Sequence, residues 1–158
     1  MARTPEEKRS YNMSRIRGKD TKPELRVRRY LFSRGLRFRK NDKRYPGKPD
    51  IVLPKYGTVI FVNGCFWHAH ENCEKFVMPK TNTDFWLPKL ERNRQKDQQN
   101  TLRLTEQGWS VITVWECQIT GPDGERILAE LYSEIVSAHN TVNNDSLNSP
   151  DGKEQTCK

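Results

Sequence analysis

The chain of 158 residues fits one domain with tails, and its 28 Lys and Arg against 20 Asp and Glu give a net charge of +8. Phosphate backbones are the commonest partner of such a basic chain, because bound Lys and Arg release counterions from them. No apolar run approaches the length of a membrane span and no signal-peptide core is present, so we expect a cytoplasmic protein without membrane contact.

A basic arm, residues 1–20, precedes the predicted domain, with Met13 as one of its isolated apolar points. Thr21 and Glu24 predict a helix start through a capping box, and Gly35 predicts the helix end. A short alternating segment and a cation-rich loop follow. The folded domain is expected over residues 21–139, and the polar composition of residues 140–158 predicts a disordered tail.

The remaining elements predict an α/β fold with a mixed sheet. In chain order they are a hairpin of strands 50–53 and 58–62, a helix over 84–107, a strand over 109–115 and a last helix over 124–138. Together with the first helix and the alternating segment at 36–40, the order is α-β-β-β-α-β and then a helix. The third and fourth strands, joined by the long helix, are expected to be parallel. The first three strands are expected to be antiparallel or mixed.

Three thiols and an imidazole predict a zinc site: Cys65, His70 and Cys73 in one loop, and Cys117 after the fourth strand. The crossover can bring that strand end beside the loop. A closed set of four soft ligands without an open position is typical of structural zinc. His68 is an alternative to His70, and the imidazole that is not on zinc is free for acid–base chemistry. Buried free thiols are the other interpretation.

Two carboxylates lie where chain elements begin. Asp50 opens an apolar strand, where a carboxylate packs poorly but can hold a hard cation, although a solvated loop-end Asp is also common. Glu24 is explained by the capping box alone. If both converge with His68, the set supplies a divalent metal and a base for phosphodiester hydrolysis. Asn93 and Asp97 can approach the same edge, but we favour solvated helix residues for both.

Several segments in a fixed order carry a resemblance to a known family: Asn12-Met13, Asp20-Thr21, Pro46-Gly47-Lys48-Pro49-Asp50, Gly64-Cys65-Phe66-Trp67-His68-Ala69-His70, Thr83-Asp84-Phe85-Trp86 and Val114-Trp115-Glu116-Cys117. Over roughly residues 8–120 the chain resembles the very short patch repair (Vsr) endonucleases. The resemblance implies a restriction-endonuclease-like core. It also implies nicking of DNA 5′ to the thymine of a T·G mismatch, which arises where 5-methylcytosine has deaminated.

The resemblance also implies roles for individual residues. Asp50 matches the magnesium-binding aspartate, with the backbone carbonyl of Val62 as a further ligand. His68 matches the catalytic imidazole and Glu24 a supporting glutamate. Cys65, His70, Cys73 and Cys117 match the zinc ligands. Val62-Asn63 stands where a family member has a Thr-His pair. Asn63 can donate a hydrogen bond but cannot act as a base near neutrality.

Phe66, Trp67 and Trp86 match aromatics that push between base pairs from the major groove, and Met13 matches an arm residue that wedges in from the minor groove. We group Lys89 with them as a DNA-binding residue. Such wedging costs a few kcal/mol of unstacking, and a wobble pair resists it least. Core packing is the alternative interpretation for the three aromatics.

The implied partners are double-stranded DNA with a T·G mismatch, mismatch-repair proteins and, functionally, a cytosine-5 DNA methyltransferase. The implied setting is a monomer in the bacterial cytoplasm, associated with the nucleoid. Two other functions are kept open. One is a zinc-stabilised DNA-binding protein without cleavage, and the other is a restriction-type nuclease that cuts matched duplex.

Overall fold

A four-stranded mixed sheet is the centre of the fold in this computed structural model, which describes residue 2, residues 4–8 and residues 20–147. The elements are α1 Lys22–Ser33, β1 Arg39–Lys40, β2 Ile51–Leu53, a 3₁₀ turn Pro54–Tyr56, β3 Thr58–Asn63, α2 Thr83–Glu106, β4 Ser110–Trp115, α3 Glu116–Thr120 and α4 Gly124–Leu147. The predicted α/β class and element order are confirmed, and the short helix α3 is an addition to them.

The strand pairing decides which residues meet at one edge of the sheet. The order is β1-β2-β3-β4, with β1–β2 and β2–β3 antiparallel and β3–β4 parallel, as predicted. In the parallel pair, Asn63 lies opposite Trp115, so the segments that follow β3 and β4 leave the sheet side by side. Because β2 runs antiparallel to β3, Asp50 at the start of β2 lies at that same edge.

The core has two parts, one on each face of the sheet. The larger part joins α1, α4 and the strands, and its fully buried members include Val27, Leu31, Ile51, Ile60 and Ile135. The smaller part lies under α2 and contains Val52, Val59 and Leu104. Successive strand residues point to opposite faces, so β2 and the middle of β3 supply both parts and are apolar on both faces.

Two large apolar side chains of α1 and α2 are exposed. Phe32 is 57% exposed, and its ring lies under the Arg37 guanidinium at 4.4 Å. Leu87 is 54% exposed, because the first turns of α2 pack beside the loop of residues 64–82 and not on the sheet. Stacking against a cation gives Phe32 a stabilising contact without burial.

The last helix is longer than predicted. α4 begins at Gly124 as expected but continues to Leu147, past the predicted end at residue 138 and into the segment that was expected to be disordered. A helix nucleated on buried residues such as Ile135 can propagate through weak helix formers, since each added residue gains a backbone hydrogen bond. Neither α2 nor α4, the two long helices in the described part of the chain, carries an apolar stretch suited to a bilayer.

Candidate active site and metal centre

The predicted zinc ligands lie together. One donor atom from each of Cys65, His70, Cys73 and Cys117 falls within 4.8 Å of all the others. The Cys117 sulfur lies 3.5 Å from Nδ1 of His70. His68 is not in this group, so the geometry distinguishes the two imidazoles that the sequence left interchangeable.

Local backbone geometry brings the three loop ligands together. The His70 N–H donates to the Cys65 carbonyl at 2.9 Å, and Ala69 and Asn72 take left-handed conformations, with φ of 47° and 54°. Such conformations are unfavourable for alanine and persist only where surrounding contacts fix them. The His70 ring also stacks on Trp115, with centroids 4.0 Å apart and planes 6° from parallel. The loop is therefore fixed both by its own backbone turns and by the stacking of His70 on Trp115.

The donor set fits a soft tetrahedral cation such as Zn²⁺. Three sulfurs and one ring nitrogen form a closed set of four, with Cys65 buried. Burial raises the pKa of the Cys65 thiol to about 12 in the absence of a metal. A cation would stabilise the thiolate that burial alone disfavours, so metal binding and folding are expected to be coupled.

A cleft of about 610 Å³ opens at the sheet edge beside this cluster. Five residues predicted for catalysis or magnesium binding share its lining: Glu24, Asp50, Val62, Asn63 and His68. Trp67, Asp97, Glu116 and Lys48 also line it. The helix start, the strand start and the metal-binding loop therefore converge, as the sequence predicted.

Asp50 is a partly buried carboxylate fixed by the sheet. Its Oδ2 accepts a hydrogen bond from the Val62 N–H at 2.7 Å. Burial raises the pKa of Asp50 to about 6, the hydrogen bond from Val62 opposes that rise, and the charge of Glu24 adds to it. Two neighbouring carboxylates in a partly desolvated site are unfavourable alone and are suited to sharing a divalent cation.

Glu24 is fixed by a buried ion pair in addition to its capping role. Its Oε2 accepts from Arg28 at 3.2 Å and from the Asp20 N–H at 2.8 Å, where the capping box had predicted the N–H of Thr21. The side chains of Glu24 and Arg28 are only 5% and 7% exposed, and Arg28 also binds Asp20 at 2.6 Å. A buried pair of this kind fixes the carboxylate in one orientation at the cleft wall.

Asp97 is a site residue that sequence reasoning interpreted wrongly. Its Oδ2 lies 2.5 Å from Nδ1 of His68, whereas we had favoured a solvated helix residue. One turn earlier on α2, Nδ2 of Asn93 donates to the Trp67 carbonyl at 2.9 Å. The i, i+4 spacing of Asn93 and Asp97 places them on one face of α2, and this was the only signal in the sequence. The sequence did not show that this face contacts residues 67 and 68.

The predicted DNA-contacting aromatics form one partly exposed group. The Phe66 ring lies 5.2 Å from both Trp67 and Trp86, and the two indoles are 5.9 Å apart. Nζ of Lys89 lies 5.4 Å from the Trp67 ring and 5.5 Å from the Trp86 ring. None of these three aromatics is a core residue, and Phe85, which is 56% exposed, extends the group. Met13 lies outside the described residues.

Comparisons with known proteins show the family to which this chain belongs. The family profile described as DNA mismatch endonuclease Vsr matches residues 3–75. The chain is 46% identical over 126 residues to the DNA mismatch endonuclease Vsr of Escherichia coli, covering 80% of this chain and 79% of that protein. It is 55% identical over 112 residues to the Type II nicking enzyme V.NmeAIP of Neisseria meningitidis, covering 71% and 79%. The chain belongs to the Vsr family of DNA mismatch endonucleases.

The family profile covers only part of the candidate site. The profile includes Asp50, His68 and the three loop cysteine and histidine residues of the cluster, but it ends before Asp97 and Cys117. A third relative, the Type II nicking enzyme V.XorIIP of Xanthomonas oryzae pv. oryzae, is 46% identical over 114 residues, covering 72% of this chain and 83% of that one. Membership in a family of DNA endonucleases makes the cleft the candidate nuclease site, and the Cys/His group can hold a metal ion.

Proposed function

We propose that this Vsr-family protein nicks double-stranded DNA 5′ to the thymine of a T·G mismatch of the kind left by deamination of 5-methylcytosine. The observation that carries the proposal is the cleft, where a partly buried carboxylate, Asp50, and an imidazole held by Asp97 open at one sheet edge. The aromatic group of Phe66, Trp67 and Trp86 adjoins it through the shared Trp67. A relative named a mismatch endonuclease and others named nicking enzymes support this reaction.

His68 is the proposed general base. The Asp97 carboxylate can only accept a hydrogen bond, so a neutral His68 ring would carry its proton on Nδ1 and donate it across the 2.5 Å contact. Nε2 is then unprotonated and can take a proton from the attacking water. Asp97 fixes the orientation of the ring and favours the imidazolium that forms, which is the logic of a base with a carboxylate behind it.

Asp50 and the backbone carbonyl of Val62 would hold a Mg²⁺ ion, and Glu24 would orient its water shell. The donors fit a hard cation, since all are oxygens and one carboxylate is destabilised by burial. When bound, Mg²⁺ supplies charge neutralisation at the phosphate and at the leaving oxygen. Asn63, at the end of β3, would donate a hydrogen bond to the phosphate region. Structural zinc on the four-residue Cys/His group would keep the intervening loop in place.

The aromatic group would provide mismatch selectivity. Phe66, Trp67 and Trp86 are partly exposed, so they can stack on bases, and Lys89 lies over two of these rings. Insertion costs less at a wobble pair than at a matched pair, which favours the T·G site. Met13 of the arm would insert from the opposite groove.

The proposal extends to the type of core, the oligomeric state, the location and the partners of the protein. The mixed sheet with parallel β3 and β4 is compatible with a restriction-endonuclease-like core, built by residues 21–139 between a DNA-binding arm and a tail. The protein would act as a monomer at the bacterial nucleoid in the cytoplasm. Its work would follow that of a cytosine-5 DNA methyltransferase, whose product deaminates to thymine, and would be linked to mismatch-repair proteins.

Strand-specific nicking tests the proposal. Duplexes labelled on either strand would carry a T·G pair in a panel of flanking sequences, with T·A duplexes as matched controls. We expect one nick on the thymine strand, only in Mg²⁺ and only in mismatched duplex. A gel shift without cleavage would favour a DNA-binding protein, and equal cutting of T·A duplex would favour a restriction-type nuclease.

A further inference from the structure

Lys48 is the only Lys or Arg among the described residues that line the cleft. The other charged residues there are carboxylates: Glu24, Asp50, Asp97 and Glu116. A phosphodiester is negatively charged, so carboxylates alone would repel it. Glu24 is paired with Arg28 behind the cleft, and one divalent ion offsets only part of the charge of the other three carboxylates. The position of Lys48 is therefore of electrostatic importance for any substrate that carries phosphate.

The turn that carries Lys48 is held in an unfavourable backbone conformation. Gly47 and Lys48 have φ of 75° and 50°, and the Lys48 N–H donates to the Tyr45 carbonyl at 3.1 Å. A Cβ at Gly47 would lie 2.9 Å from Nδ2 of Asn100 on α2, so only glycine allows this close packing. A lysine with a left-handed backbone conformation is uncommon, and such backbone strain is concentrated at functional sites.

The Lys48 ammonium has no ion-pair or hydrogen-bond partner within the described part of the chain. Nearby cations are already engaged. Arg44 of the same loop binds Asp42 at 2.6 Å, and Arg28 behind the cleft binds Asp20 and Glu24. A strained, exposed and unpaired lysine at the mouth of an acidic cleft can bind an anion without first breaking another contact.

We propose that the Lys48 ammonium binds a non-bridging oxygen of the phosphate that is cut and stabilises the charge that develops there. This inference rests on the proposed function. In the step, the water oxygen bonds to phosphorus, its proton passes to His68, and the phosphorus bond to the leaving oxygen breaks. The leaving oxygen takes a proton from solvent. Lys48 moves no proton and holds no metal; its contribution is the positive charge.

Single-turnover nicking of a T·G duplex at saturating enzyme, in Mg²⁺, tests this role. Methionine must adopt the same left-handed backbone conformation as Lys48 but carries no charge. For Lys48→Met we therefore expect the rate to fall by about 10²-fold, as for loss of one transition-state donor. Lys48→Arg restores the charge and should recover most of the rate. Lys55→Met is the matched control, because Lys55 lies in the exposed turn at the other end of the β2–β3 hairpin.

Lys48→Gly separates a chemical role from a structural one. Glycine adopts the left-handed conformation freely, so this variant should melt no lower than the wild type while nicking as slowly as Lys48→Met. Full-speed nicking by Lys48→Met or Lys48→Gly, equal to that of Lys55→Met, would overturn the inference and leave the proposed function intact. Wild-type protein that nicks no T·G duplex would remove the proposed function and this inference with it.

Discussion

The Cys/His group and the acidic cleft lie on either side of one loop but are held together differently. In the Cys/His group the four donor atoms approach one another within 4.8 Å, so they could share one metal ion. In the cleft three of the candidate site residues are held by protein partners: Asp50 by the Val62 N–H, His68 by Asp97, and Glu24 by Arg28. The first region is a cluster of donor atoms that could hold a metal ion, and the second is a set of polar side chains held in position by their neighbours.

His68 and His70 show the contrast within three residues. His70 stacks on Trp115 and joins the three thiols, whereas His68 lines the cleft and contacts Asp97. Ala69 between them has a φ of 47°, and this local turn sends the two rings to different sites. Two identical side chains thus receive different chemistry from the backbone between them, and substitutions in the two regions should have opposite signatures.

The largest expected effect is the loss of a ligand from the Cys/His group. Cys117→Ala leaves three donors, so we expect loss of zinc and a fall in the free energy of unfolding of about 5 kcal/mol or more, since structural zinc sites bind with about 10–16 kcal/mol. Elemental analysis and thermal melting measure the two quantities. Cys157→Ala, in the polar segment after residue 147, is the matched control and should change neither. An unchanged melting temperature for Cys117→Ala would remove this ligand from the site.

The opposite signature is expected for Asp50→Asn in the cleft. The amide cannot replace a carboxylate as a Mg²⁺ ligand, so nicking should fall by about 10³-fold or more, because several kcal/mol of charge stabilisation are lost. Burial of a neutral amide costs less than burial of a carboxylate, so the melting temperature should be retained or raised. Zinc content and binding to a T·G duplex serve as controls. Nicking near the wild-type rate would exclude Asp50 as the metal ligand.

The two regions also differ in how far the sequence predicted them. The Cys/His group could be predicted because three ligands lie within nine residues and the fourth follows a strand that a parallel crossover returns. In the cleft, the proximity of Asp50 and His68 could be predicted, because the start of β2 and the end of β3 meet at one edge of the sheet. The Asp97 contact spans 29 residues and depends on how α2 rotates over the loop, which periodicity alone does not fix.

The same limit applies elsewhere in the fold. Arg28 was not predicted as a site residue, because its i, i+4 spacing from Glu24 is equally common on solvated helices. The structure buries both side chains, and this burial depends on packing against the sheet edge near Asp50. Local patterns therefore predicted the elements and their order, while the partners of the reactive groups required the tertiary structure.

Asp97→Asn should give an intermediate effect that separates positioning from folding. The amide can present its NH₂ to Nδ1 and favour the wrong ring tautomer, so we expect single-turnover nicking to fall by about 10²-fold. Binding to the T·G duplex and the melting temperature should stay close to the wild type. Nitrogen NMR of the His68 ring would report the tautomer directly. Gln99→Ala, two residues further along α2, is the control, and equal rates for the two variants would assign Asp97 to a solvated role.

The smallest expected effect is a pH dependence of stability that arises in the cleft. In the absence of Mg²⁺, burial raises the pKa of Asp50 to about 6, above the ordinary value of 3.8 expected for the unfolded chain. Between these values the folded state binds a proton that the unfolded state does not. The contribution of Asp50 is therefore fully present below about pH 4 and is lost as the pH rises through about 6, with a magnitude of about 1–3 kcal/mol.

Denaturant unfolding at several pH values from 4.5 to 7.5 measures this contribution. The free energy of unfolding should fall with pH more steeply for the wild type than for Asp50→Asn, which has no proton to lose at this position. Mg²⁺ should restore stability to the wild type above pH 6, because the cation takes the place of the proton on the buried carboxylate, and should have little effect on the variant. Parallel pH curves for the two proteins would show that Asp50 is better solvated than the geometry indicates. The cleft would then lack the buried charge that makes a divalent ion stabilising there.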